Sequence, residues 1–236
     1  MNDGSISARR PMTDVTVMNA FLRSVYNWMA LGLGVTAVLA YILTYTGFNS
    51  LMRTPMAGTI GIVGLVVEVG LVFYLSLRIN KLSAKAASGI FLAYSALNGF
   101  TLSFLLMAYQ VGSVAQAFIT AAGMFAAMSV YGLYTKKDLA GWGGFLFMAL
   151  IGLLIAMLVN MFLGSTMMEM LISFAGVAIF LGLTAYDTQL LKEMGESVPH
   201  DDKLAVHRGT IIGALRLYLD FINLFIMLLR LIGDRR

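Results

Sequence analysis

The chain has 236 residues, of which A, V, I, L, M, F, W, Y and C make up 59% and charged residues only 12%, about half the charge content of a soluble domain (~25%). Sixteen Lys+Arg and twelve Asp+Glu cannot clothe a soluble surface, and the lack of cysteine excludes a disulfide scaffold, a thiolate nucleophile and a cysteine-based zinc site. A net charge of +4 suits the orientation of a membrane protein better than nucleic-acid binding, so a basic nucleic-acid-binding domain is excluded with them.

In chain order, residues 1–24 are mostly polar and read as a cytoplasmic tail. They are not a cleavable signal, because the first apolar run has full spanning length. A bilayer core needs about 20 apolar residues per helix. The apolar runs predict spans over Val25–Tyr45, Ala57–Leu77, Ala87–Tyr109, Ser113–Tyr134, Trp142–Leu163, Met167–Leu191 and Ile211–Ile232, with residues 233–236 as a short C-terminal tail. Apolar residues run continuously instead of alternating, which points to an all-α polytopic bundle of seven helices and against a β-barrel. Gly58, Gly61, Gly64, Gly209 and Gly213 are spaced as small residues that let helices approach closely. The segment from Lys192 to Arg208, with Pro199, His200 and His207, reads as a loop of about 19 residues; Lys136-Lys137-Asp138 reads as another, solvated one. No internal repeat supports an inverted-repeat transporter.

Orientation follows from the positive charges. With the N-terminus in the cytoplasm, the inner segments hold Arg9, Arg10, Arg23, Arg78, Lys81, Lys85, Lys136, Lys137, Lys192, Lys203 and Arg208, and the outer loops hold Arg53. Trp28 and Trp142 fall near inner helix ends, as interfacial aromatics do. Arg230, Arg235 and Arg236 dissent, because seven complete spans put them outside. The alternative is a last segment that turns back.

Three acids lie within the apolar runs: Glu68, Asp187 and Asp220. Intramembrane acids are costly and point to function by default. At about 1.5 Å per residue, Asp187 lies ~6 Å and Asp220 ~14 Å from the same inner side. The two carboxylates are therefore able to meet in the inner half of the bundle. If they meet, like charges in a low dielectric share one proton and titrate as a unit. Deprotonated, they attract a cation such as Ca2+, which takes oxygen ligands. Plainer readings stand beside this one. Arg216, four residues before Asp220, pairs with it inside one helix; Asp187 is solvated or bonds Thr184 or Tyr186; Glu68 packs against a neighbouring helix through hydrogen bonds.

Thr184-Ala185-Tyr186-Asp187-Thr188-Gln189 and Ala214-Leu215-Arg216-Leu217-Tyr218-Leu219-Asp220-Phe221-Ile222-Asn223-Leu224-Phe225 resemble the Bax inhibitor-1 (TMBIM) family, most of all its bacterial inner-membrane branch. The resemblance covers nearly the whole chain. It implies a seven-helix bundle with the last helix near the centre, in the bacterial cytoplasmic membrane. It also implies a Ca2+ leak regulated by pH through an aspartate pair, matched here by Asp187 and Asp220. The family's helix-two acid corresponds to Glu68. Its latching basic residue has Arg78 as the nearest match, about one residue out of register. Some bacterial relatives have membrane proteases as partners. No cofactor is implied beyond Ca2+ as a transported ion.

Two other function classes compete with the leak channel or exchanger. One is a non-transporting interaction protein that modulates membrane proteases or stress responses. The other is an intramembrane aspartyl protease, since Tyr-Asp on one helix facing an Asp on the next resembles the presenilin arrangement. Those enzymes carry Gly-x-Gly-Asp on the second helix, whereas Tyr218-Leu219 precede Asp220 here. The expectation is therefore that this chain is not an enzyme.

Overall fold

The computed structural model describes residues 11–45, 56–197 and 202–236; Arg9, Arg10, Arg53, Pro199 and His200 lie outside the described residues. Seven α-helices follow one another: α1 Pro11–Tyr45, α2 Ala57–Arg78, α3 Ala84–Leu106, α4 Val111–Tyr134, α5 Gly143–Leu163, α6 Thr166–Ser197 and α7 Lys203–Ile232. All seven are long and apolar enough to cross a membrane. Short 3-10 turns at Ile79–Lys81 and Ala140–Trp142 join α2 to α3 and α4 to α5.

Three helix ends differ from the hydropathy reading, for one reason. Apolarity marks where lipid ends, but Lys, Glu, Met and Ala continue a helix readily beyond that level. Thus α1 starts at Pro11 and takes in much of the expected tail, with proline at the first helical position, where its missing N–H costs nothing. Likewise α6 continues to Ser197 and α7 begins at Lys203, so most of the expected 19-residue loop is helix. Asp202 caps α7, its Oδ1 accepting the N–H groups of Leu204 (2.9 Å) and Ala205 (3.0 Å). Asp187 consequently sits almost three turns before the end of α6.

The last helix is the hub. Residues pointing in every direction from it are buried, among them Leu215, Leu217, Tyr218, Asp220, Phe221, Ile222 and Leu224. A helix apolar all round belongs at the centre of a bundle, and α7 packs on α1, α3, α4 and α6. Of its most apolar window 72% is buried, against at most 44% in any other span. By contrast α2 leans mainly on α3, and α5 on α6. Their outer faces, with Leu65, Val66 and Leu77 on α2 and Phe147, Leu158 and Phe162 on α5, are exposed apolar surface suited to lipid.

Lipid tails are as apolar as leucine, so contact quality holds such helices together. Phe118 and Phe125 of α4 meet Phe221 edge-on at 5.3 and 5.5 Å, while Phe91 and Tyr94 of α3 meet Tyr218 at 5.9 and 5.6 Å. Two helix backbones come close at Gly132 of α4, where a Cβ would stand 2.4 Å from the carbonyl oxygen of Ala185 on α6. The glycine expectation is therefore corrected in part. Gly64 abuts Thr101 and Gly213 abuts Leu191, but Gly58 and Gly61 face open space and Gly209 has only ordinary contacts.

The C-terminal residues clasp the α3–α4 connection. The Gln110 N–H donates to Asp234 O (3.0 Å), the Arg236 N–H donates to Ala108 O (2.9 Å), and Arg235 pairs with Glu169 near the start of α6. Since α7 ends beside the α3–α4 turn, the C-terminus lies at the end of the bundle opposite the start of α1. Among the described residues the spans number seven, and the last one does not turn back. Arg23, Arg78, Lys81, Lys85, Lys136, Lys137, Lys203 and Arg208 gather toward the other end.

Candidate functional site

The helix pair α6–α7 brings Asp187 and Asp220 into one neighbourhood, with a cation between sequence neighbours and helix neighbours. Arg216 and Asp220 lie one turn apart on α7. Arg216 nevertheless turns across to the other helix: its Nη1 lies 3.1 Å from Asp187 Oδ1. The intrahelical Arg216–Asp220 pair allowed by spacing alone is thus replaced by an interhelical one. Thr184 is not a partner of Asp187, because its hydroxyl donates to Phe180 O at 2.7 Å within its own helix.

Asp220 is left in a different condition. It is 4% exposed, and its Oδ2 is buried with no hydrogen-bond partner. Arg216 stands one turn before it on α7, and that arginine holds Asp187 on α6. One guanidinium thus stands near two carboxylates and bonds only that of Asp187. An ionised carboxylate in such a place requires a counter-charge or a proton. With one proton on the pair the cluster is formally neutral; without it, one negative charge is uncompensated. Among the described residues no group of three or more His, Cys, Asp or Glu could hold a metal ion. Two carboxylates fall well short of the six to eight oxygens Ca2+ prefers, so they suit a passing cation better than a resident one.

Glu68 forms a separate centre. It projects from α2 onto α3, is 6% exposed, and accepts hydrogen bonds from Thr101 Oγ1 and from Asn98 Nδ2 (3.4 Å). The packing reading of Glu68 thus has its partners, and the same bonds tie peripheral α2 to the bundle. Tyr94, four residues before Asn98 on α3, meets Tyr218 edge-on. From there buried polar groups continue inward. Tyr218 Oη and Thr36 Oγ1 are 2.6 Å apart, and the Thr36 hydroxyl also lies 2.8 Å from Ser95 O. Tyr218 and Asp220, two residues apart, point to different sides of α7, so the central helix stands between the Glu68 network and the aspartate pair.

The structure thus joins Asp187, Asp220 and Arg216 and leaves Glu68 apart. Arg78 is exposed at the end of α2 and forms no ion pair among the described residues. Sequence reasoning passed over Thr36, Tyr94, Asn98, Thr101 and Tyr218. Asn98 and Thr101, three residues apart within an apolar run of α3, were a legible signal of a polar face. It also passed over Gln189, whose side chain accepts from the Leu139 N–H (2.7 Å) and donates to Lys137 O (2.9 Å). That residue docks the α4–α5 connection onto α6 just beyond Asp187, while Lys136, Lys137 and Asp138 stay exposed.

Residues 18–236 match the family described as "Inhibitor of apoptosis-promoting Bax1". The chain is 45% identical over 220 residues to the inner membrane protein YbhL of Escherichia coli strain K12, covering 93% of each. It is 43% identical over 219 residues to a protein of Deinococcus radiodurans (93% and 92% covered) and 41% identical over 225 residues to one of Borreliella burgdorferi (94% and 95%). With a seven-helix bundle, a buried central helix and matches of this extent, the chain belongs to the Bax inhibitor-1 family.

Proposed function

We propose that this protein is a multi-pass protein of the bacterial inner membrane, with its N-terminus in the cytoplasm, that provides a proton-regulated leak or exchange path for cations, Ca2+ being the cargo. The reading carries no enzymatic step. The observation that supports it is Asp220: a carboxylate on the most buried helix, with an unpartnered oxygen, one turn from the arginine that pairs with Asp187. A merely structural acid is expected to be fully hydrogen-bonded.

The mechanism follows from charge. With the proton present, the Asp187–Arg216 pair and a neutral Asp220 hold α6 and α7 together without net charge. Loss of the proton adds one uncompensated negative charge, which draws a cation toward the pair and biases the two helices to a second packing. Glu68, on the lipid-facing helix α2, offers carboxylate oxygens on the other side of α7. The inner-membrane location rests on the name of the E. coli relative and on seven apolar spans. The N-in orientation rests on the basic residues gathered at one end.

Proteoliposomes containing the purified protein and a Ca2+-sensitive dye, assayed across pH 6–8, test this. Ca2+ entry above that of empty vesicles, with a pH response flattened in Asp220→Asn and in Asp187→Asn, is expected. No flux, or flux whose pH response is unchanged in both variants, overturns the proposal.

A further inference from the structure

Where α7 begins, α1 and α7 enclose an open cavity of about 340 Å3, lined by Val17, Ser24, Lys203, Val206, His207 and Thr210. Its level is set by the helices. The apolar run of α1 begins at Val25 and that of α7 at Ile211, so the cavity lies just on the polar side of both, where phospholipid headgroups sit.

Its chemistry is that of unused donors. Lys203 forms no ion pair among the described residues, and the hydroxyls of Ser24 and Thr210 take part in no hydrogen bond among them. Neighbouring groups are already engaged. Asp202, the acid beside Lys203, caps α7. Arg208 donates to Leu82 O, from Nε at 2.8 Å. The His207 ring is held from behind, with Nε2 2.8 Å from Ser88 Oγ and the ring edge-on to Trp28 at 5.9 Å. That leaves one ammonium and two hydroxyls on residues that line a space with valine walls, a set that matches the oxygens of a tetrahedral anion.

We propose that this cavity binds a phosphoryl group, as carried by an anionic phospholipid headgroup or by a small soluble phosphate ester. The site is on the side of α1 and α7 at their inner ends, apart from the aspartate pair, and it does not depend on the transport reading.

Trp28, in contact with His207, is a built-in reporter, and Trp142 is the only other tryptophan. In a Trp142→Phe background, the protein is reconstituted in phosphatidylcholine vesicles. Each vesicle sample contains the same minority fraction of dibrominated phosphatidylglycerol or of dibrominated phosphatidylcholine. Stronger quenching of Trp28 by the glycerol lipid is expected. That preference falls about fivefold in Lys203→Gln, the effect of one basic residue near an anionic surface, and falls again in Ser24→Ala. Lys203 is exposed, so its replacement leaves the fold intact. Lys136→Gln/Lys137→Gln, which removes two cations at the same end but outside the cavity, keeps the preference. Displacement of the quenching by glycerol 3-phosphate, or a Trp28 response to it with no lipid preference, assigns the cavity to a soluble ester; no effect of it on a clear lipid preference assigns it to the headgroup. Equal quenching by the two lipids with no response to glycerol 3-phosphate overturns the proposal. So does a preference lost to the same degree in Lys136→Gln/Lys137→Gln.

Discussion

Replacing Arg216 by glutamine removes the single cation that faces two carboxylates, and the structure sets the size of the effect. At the 3.1 Å Nη1–Oδ1 separation, unit charges attract by about 1.3 kcal/mol in bulk water and about 5 kcal/mol at an effective dielectric constant near 20. The Arg216 side chain is 44% exposed and that of Asp187 10%, which pulls the pair toward the lower figure, about 2 kcal/mol. The larger consequence is what each deletion strands. Arg216→Gln leaves Asp187 and Asp220 together with no cation, and breaking a buried pair in this way costs about 3 kcal/mol, at the low end of measured cases. Asp187→Asn strands only a half-exposed arginine, which still has Asp220 one turn along its own helix, and costs about 1 kcal/mol. At roughly 2–4 °C per kcal/mol for a chain of this size, Arg216→Gln lowers the unfolding midpoint in detergent by about 6–12 °C. Asp187→Asn lowers it by about 2–4 °C, and the double variant recovers part of the larger loss. Lowering the pH from 8 to 6 narrows the gap between Arg216→Gln and the parent, because protons replace the missing guanidinium. An Asp187→Asn variant as unstable as Arg216→Gln, or strictly additive effects in the double variant, refutes this account of the cluster.

Three further outcomes are expected. Thr101→Val withdraws a donor from buried Glu68 and lowers stability by about 1–3 kcal/mol, whereas Thr101→Ser retains it; equal melting temperatures for the two variants count against Glu68 as a hydrogen-bonded anchor of α2. Gly132→Val forces the α4 and α6 backbones apart, since even a Cβ would stand 2.4 Å from Ala185 O. A loss above about 2 kcal/mol is expected, while Gly61→Val on the open face of α2 stays near parental stability in the same melt. Because the chain lacks cysteine, single replacements report topology cleanly. Arg236→Cys reacts with an impermeant maleimide in intact spheroplasts and Lys136→Cys only after lysis, and labelling of both from one side contradicts the seven-span arrangement.

Much of this protein is determined by short-range arithmetic. Lipid demands about 20 apolar residues per crossing and a helix to satisfy every backbone group, so seven uninterrupted apolar runs with 12% charge specify an all-α bundle without reference to partners. The same scarcity makes Glu68, Asp187 and Asp220 conspicuous. Helix ends at the membrane surface were less legible, because the residues that leave lipid at Lys192 or enter it at Ile211 are compatible with helix in water as well. Pairings were decided only in three dimensions. Spacing offered Arg216 to Asp220; the packing of α6 against α7 gave it to Asp187, because a long, flexible guanidinium reaches a neighbouring helix as easily as its own next turn. Likewise Glu68 found Thr101 and Asn98 instead of the aspartates because α7, buried on all sides, stands between them. The direction of the C-terminus was settled by Asp234 and Arg236 bonding to the α3–α4 turn, contacts between residues more than a hundred positions apart. Periodicity and hydropathy encode what each segment requires of its solvent; which helices meet, and which charge answers which, depends on the close packing of all seven.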